Sequence, residues 1–109
     1  MSYKVLSIPP FDRQLKRLAK KYRSLKREFA ALLESLEQDP EQGTPLGNNC
    51  YKIRLQISSK GKGKSGGARV ITNFVVAENS VFLISIYDKS EKENLSDKEL
   101  DSLLKYVPE

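Results

Sequence analysis

The sequence contains no histidine and no tryptophan, and only one cysteine and one methionine, in 109 residues. Each scarcity excludes a chemistry. Without histidine there is no Ser-His-Asp triad and no Cys-His pair, and with a single cysteine there is no zinc or haem site of a usual type and no internal disulfide. Catalysis, if any, must rest on Lys, Arg, Tyr, Asp or Glu, and no metal or cofactor is expected. No stretch is apolar for long enough to span a membrane, and Met1 to Pro10 contain no apolar run able to form a signal-peptide core. The expectation is a cytoplasmic protein without a membrane partner, and the lone Cys50 agrees with a reducing compartment. A chain of this length suits a single domain over residues 1–109.

What the chain has in excess is positive charge, and it is unevenly placed. The formal net charge is +5, yet from Gln42 to Ala77 there is no acidic residue, while Lys52, Arg54, Lys60, Lys62, Lys64 and Arg69 all fall there. The C-terminal third, from residue 76 onward, is acidic overall. An acid-free basic stretch raises encounter rates with a polyanion such as nucleic acid.

Hydrophobic periodicity divides the chain into elements. Tyr3 to Ile8 reads as a short strand ended by Pro9-Pro10. With Asp12 as a candidate N-cap, Leu15, Leu18 and Tyr22 recur at helical spacing, and Arg13, Lys16, Arg17, Lys20 and Lys21 fall largely off that stripe. Ser24 can cap a second helix carrying Leu25, Phe29, Leu32, Leu33 and Leu36 before Asp39-Pro40 stops it. The period then changes: Tyr51, Ile53, Leu55 and Ile57 alternate with Lys52, Arg54 and Gln56, which is a strand with one buried and one polar face. Ala68 to Ala77 and Val81 to Tyr87 are more uniformly apolar and β-branched, as central strands tend to be, with a tight turn at Glu78-Asn79-Ser80. Ser96-Asp97-Lys98-Glu99 is a capping box opening a last helix with Leu100, Leu103, Leu104 and Val107 on its stripe. The order β-α-α-β-β-β-α predicts an α+β fold, an antiparallel sheet with a helical hairpin on one face. The other face, with Lys52 and Arg54, is expected to be left as an open, basic, concave surface.

The segment Ser58 to Gly67 holds two misleading motifs. Gly61, Gly63 and Gly66 match the dinucleotide-binding spacing, but the next element is a strand and not the helix whose N-terminus would meet a pyrophosphate. Gly63-Lys64-Ser65 resembles the end of a P-loop, yet Ser58 occupies the position of its first glycine. Two compatible readings remain: a long flexible hairpin loop kept soluble by its lysines, and a mobile clamp in which Lys60, Lys62 and Lys64 grip phosphates beside the basic strand. Lys52 and Arg54, two residues apart on a strand, point to one side about 7 Å from each other. Arg69 opens the next strand and Lys89 follows the last one. The acids Glu91, Glu93, Asp97, Glu99 and Asp101 match no metal-binding loop and suit a solvated turn and a helix N-terminus.

Cys50-Tyr51-Lys52-Ile53-Arg54-Leu55, Ala68-Arg69-Val70-Ile71 and Leu83 to Lys89, together with the pattern from Phe11-Asp12 through Leu18, resemble the RelE/ParE superfamily of bacterial toxins, specifically its RelE-like branch. The likeness covers nearly the whole chain. It implies a small toxin of a type II toxin–antitoxin pair, with a cognate antitoxin as protein partner, that enters the ribosome and cuts mRNA. On that resemblance Lys52 and Arg54 stand where the family has two basic strand residues, Arg69 at its phosphate-binding arginine and Lys89 at the arginine of the last strand. Leu95 stands where the family member compared carries a tyrosine, and Lys89 replaces an arginine, whose planar fork an ammonium does not reproduce.

RNA cleavage by a 2′-hydroxyl needs a base, an acid for the leaving 5′-oxygen and cations for the phosphorane-like transition state, none of which requires histidine. Crowding by other cations lets a lysine act as base, and Lys52 is assigned that role. Arg54 and Arg69 are assigned charge stabilisation, and Lys89 proton donation. Tyr87 is a weaker substitute for the missing tyrosine, because strand alternation can turn it away from the site. Two alternatives stand beside this reading: a gyrase inhibitor of the ParE kind, and a member that has lost catalysis and survives as an antitoxin-binding protein.

Overall fold

Pro9 and Pro10 begin the first helix as well as ending the first strand. Proline has no N–H to offer, and the first turn of a helix needs none, so the two occupy its opening positions. Helix α1 therefore runs from Pro9 to Lys21, and Asp12 lies inside its first turn, taking a hydrogen bond from the Ser7 hydroxyl at 2.6 Å, while Ile8 is the N-cap. The computed structural model describes residues 2–60 and 66–108. Strand β1 spans Lys4–Ser7, helix α2 Leu25–Gln38, and strands β2 to β5 Thr44–Gly47, Cys50–Leu55, Ala68–Val75 and Ser80–Asp88; helix α3 spans Asp97–Leu104.

The five strands form one sheet in the order β1-β5-β4-β3-β2. Three pairings are antiparallel, as expected for the meander, while β1 joins the edge of β5 in parallel. The sheet is thus mixed. The stretch from Pro40 to Asn49 is more than a turn, since Thr44–Gly47 folds back on β3 through Asn48 and Asn49, both with positive φ. Asparagine tolerates that left-handed backbone better than most residues. Gly67 is required for another reason: a Cβ there would run into the Leu55 carbonyl oxygen as β4 starts alongside β3.

The apolar stripes of the helical hairpin and one face of the sheet make the core. Phe11 and Leu18 of α1 and Leu25, Leu32 and Leu36 of α2 are buried with Ile53, Leu55 and Ile57. Past the end of β1, helix α1 covers the open edge of β5. There the Ile86 N–H donates to Gln14 Oε1 at 2.9 Å and the Ser85 hydroxyl donates to the same oxygen at 3.1 Å, so no ladder group is stranded.

Strand β5 is buried along its whole length and β4 almost so. Two-sided cover explains this. On the face away from the hairpin, Leu95, Leu100, Leu103, Leu104 and Val107 pack against the sheet core. The capping box is formed: the Glu99 N–H donates to Ser96 Oγ and the Ser96 N–H to Glu99 Oε1. No residue of α3 is fully buried, so the cap is a large part of what holds it. Ser96→Ala is expected to cost about 1 kcal/mol, read as faster amide exchange confined to α3, with the sheet amides unchanged.

Candidate functional site

Register collects the basic residues into one row. Arg54 on β3 lies directly opposite Arg69 on β4, and Arg69 directly opposite Tyr87 on β5. Directly opposed residues point to the same face, with Cα atoms about 5 Å apart at each step. The next row holds Lys52, Ile71 and Ser85. Lys89 stands two residues past Tyr87 and is held opposite Gly67, whose carbonyl accepts its N–H at 3.0 Å. Arg54, Arg69 and Lys89 therefore lie toward one end of three adjacent strands, with Lys52 one row further in.

The site is not open. Asn94 lies over Lys52 and accepts a hydrogen bond from its Nζ at 3.2 Å, and Leu95 lies against Tyr87. The segment leading into α3 is thus a strap across this face. Under it Arg69 is 3% exposed and Tyr87 6%, Lys52 and Lys89 are half-buried, and only Arg54 is exposed. The expectation of an uncovered basic surface is corrected accordingly: the strap and α3 give the face a second apolar layer, which the largely apolar and buried β4 and β5 require.

Burial and the neighbouring Arg54 guanidinium both lower the Arg69 pKa, and Tyr87 acts in the opposite sense. Arg69 Nη1 donates to the Ala68 carbonyl at 3.1 Å. Burial raises the Tyr87 phenol, with Arg69 only partly offsetting it. The Tyr87 hydroxyl has no well-formed hydrogen bond among the described residues; the Leu95 N–H approaches it without completing one. Two arginines side by side are a costly arrangement unless an anion is to be bound between them. With Lys52 they offer what a phosphodiester needs: cations for its non-bridging oxygens and groups able to carry a proton.

Lys60 is placed elsewhere. Its ammonium is buried in an ion pair with Asp88, which points to the hairpin side of the sheet, and it also donates to Ser90 Oγ at 3.0 Å and stands over the Tyr22 ring. The Tyr22 hydroxyl donates to the other carboxylate oxygen at 2.5 Å. Lys60 thus serves here as a structural cation, its ammonium drawn to the nearest buried carboxylate and away from the basic row. Lys62 and Lys64 lie outside the described residues. Beyond the sheet, Arg13, Lys16, Arg17, Lys20 and Lys21 line a shallow depression along the outer face of α1, with Arg17 and Lys21 paired to Glu91.

Tyr87 is the residue that sequence reasoning discounted. The register between β4 and β5 shifts after Ile71, where Ile84 is left without a partner: Ile71 faces Ser85, but Thr72 faces Leu83. This bulge reverses which side odd-numbered residues take, and so turns Tyr87 to the side of Arg69. Among the described residues no cluster of His, Cys, Asp and Glu could hold a metal, and no helix is long and apolar enough to cross a membrane.

A family model described as "RelE toxin of RelE / RelB toxin-antitoxin system" matches residues 11–108. Among solved structures, the chain is similar to an arginine-to-alanine double variant of the E. coli toxin RelE in the free state, at 20% identity and TM-score 0.64, covering 99% of this chain and 100% of that one. It is similar to a chain of the toxin–antitoxin complex RelBE2 from Mycobacterium tuberculosis, at 17% identity and TM-score 0.61, covering 81% and 92%. The E. coli RelE variant in complex with a peptide of the antitoxin RelB matches at 21% identity and TM-score 0.57, covering 94% and 93%.

Proposed function

Since the chain belongs to the RelE toxin family of toxin–antitoxin systems, we propose that it is a ribosome-dependent endoribonuclease that cuts mRNA and so stops translation, and that a cognate antitoxin protein restrains it. The observation that carries this reading is the Arg54–Arg69 pair, opposed across β3 and β4, with Lys52 in the next row and Lys89 two residues past Tyr87. Adjacent guanidinium groups suit a scissile phosphate, which gains charge as it is attacked. The basic depression along α1 adds a further surface suited to a nucleic-acid backbone. Antitoxin-bound relatives of the same fold support the protein partner.

In the proposed reaction Lys52 takes the proton of the ribose 2′-hydroxyl as that oxygen attacks the adjacent phosphorus. Arg54 and Arg69 neutralise the non-bridging oxygens, and Lys89 gives a proton to the departing 5′-oxygen. The products are a 2′,3′-cyclic phosphate and a free 5′-hydroxyl. Before the base can act, the Asn94 contact on Lys52 must open, so the strap has to move as substrate enters.

The test is mapping of mRNA 5′ ends after adding purified protein to programmed ribosomes, beside the Lys52→Ala/Arg69→Ala double variant. The wild type is expected to give defined cuts and the double variant to lose about 10³-fold in rate. Identical cutting by both proteins overturns the site assignment. Absence of cutting by the wild type, with antitoxin binding retained, favours a toxin that binds without catalysis.

A further inference from the structure

On the site face, the buried Tyr87 hydroxyl has no well-formed hydrogen bond among the described residues. Buried hydroxyls are nearly always hydrogen-bonded, and an exception calls for a reason. Here the surroundings supply one. The phenol stands directly opposite Arg69 and two strands from Arg54, at the end of the row of cations. It was brought to this face by the bulge at Ile84, and bulges next to sites re-aim side chains. The backbone N–H of Leu95 comes near it without completing a hydrogen bond.

We infer that Tyr87 is a catalytic residue whose hydroxyl donates a hydrogen bond to a non-bridging oxygen of the scissile phosphate, completing with Arg54 and Arg69 a three-donor cradle. The inference rests on the nuclease reading above and names a further group in that site. No proton is transferred by Tyr87. Burial keeps the phenol protonated at neutral pH, which suits a donor and not a base, so this tyrosine works differently from one that removes the 2′-hydroxyl proton. The unpaired hydroxyl gains its partner only when RNA enters and Leu95 moves aside.

The decisive variant is Tyr87→Phe, which removes one oxygen and keeps the ring that packs in the core. Thermal stability is expected to stay the same or rise, because an unpaired buried hydroxyl is lost. Affinity for a fluorescein-labelled RNA hexanucleotide with 2′-deoxy sugars, which cannot be cut, is expected to fall about tenfold at low salt. Cutting on programmed ribosomes is expected to fall about 10²-fold, with a rate profile between about pH 6 and 9 of the same shape as the wild type, since a protonated donor adds no titration there. Equal affinity of the two proteins for the hexanucleotide, at whatever level, overturns the proposal, as does a profile whose acid limb disappears in the variant. If the wild type does not cut but the variant still binds more weakly, the phosphate-donor role stands and the nuclease reading falls. If both proteins bind and cut alike, the reading stands and Tyr87 has no part in it.

Discussion

Asp88→Asn is expected to cost about 3–5 kcal/mol of folding stability, lowering the melting temperature by about 15–25 °C. Asp88 is fully buried, and it holds together three parts of the chain that are distant in sequence: Lys60 at the start of the glycine-lysine segment, Tyr22 at the end of α1, and Ser90 after β5. Removing the carboxylate charge leaves the Lys60 ammonium buried without compensation, which is the expensive outcome, while the amide still accepts from Tyr22. Removing both charges is cheaper than removing one. The Lys60→Met/Asp88→Asn double variant is accordingly expected to recover more than half of the loss, and thermal melts of the four proteins of this cycle measure it. A single-variant loss under about 1 kcal/mol would show that the pair is not what fixes this junction.

The same carboxylate gives the protein an acid limb. Burial by itself would raise the Asp88 pKa, but the hydrogen bonds from Lys60, Tyr22 and Ser90 outweigh it and hold the group well below the usual carboxylate range. The folded pKa is depressed, so the stabilisation is present above the unfolded value of about 4 and is lost as pH falls below it. Asp88→Asn should flatten stability against pH in that region.

The second large effect is at Arg69. Arg69→Lys keeps the charge, yet it is expected to lower the rate of mRNA cutting by about 10²-fold in the 5′-end assay. The guanidinium presents its donors in a fixed plane between Arg54 and Tyr87, a geometry that suits phosphate oxygens better than a point charge does. An ammonium on a flexible stem offers a point charge at that place. Cutting by Arg69→Lys at the wild-type rate would mean that the site uses charge alone, and that the row of opposed residues has no geometric meaning for the reaction. Arg54→Lys, at an exposed position, is expected to cost less, because water competes there for the same contacts.

Much of the site was already legible in residues 50–55. A strand has period two, so Lys52 and Arg54 had to share a face and Ile53 and Leu55 the opposite one. The capping box at Ser96 and the turn at Asn79, which adopts positive φ, are also local chemistry that the sequence shows directly. Membership of the family was visible in the same strand segments and in the order of the elements, apart from the short β2 and the parallel placement of β1. Those two depend on which strands pair, and pairing is settled between residues far apart along the chain.

Three features belong to the tertiary structure alone, for the same reason. Lys60 sits in a stretch that reads as a solvated loop, and only the fold brings Asp88 to it from 28 residues away. Arg69 begins a strand next to a glycine-rich segment, where exposure is the natural expectation; it is buried because a strap from residues 93–96 crosses a face that period two can define but cannot cover. Tyr87 is the sharpest case. Alternation counted along β5 fails at Ile84, where one residue bulges out of the ladder, and nothing in the run from Val81 to Tyr87 marks that position. The absence of histidine established that any catalysis here must use lysine, arginine, tyrosine or carboxylates. Which tyrosine faces the arginines was decided by a one-residue shift in strand register, because such a shift turns every side chain beyond it to the other side of the sheet.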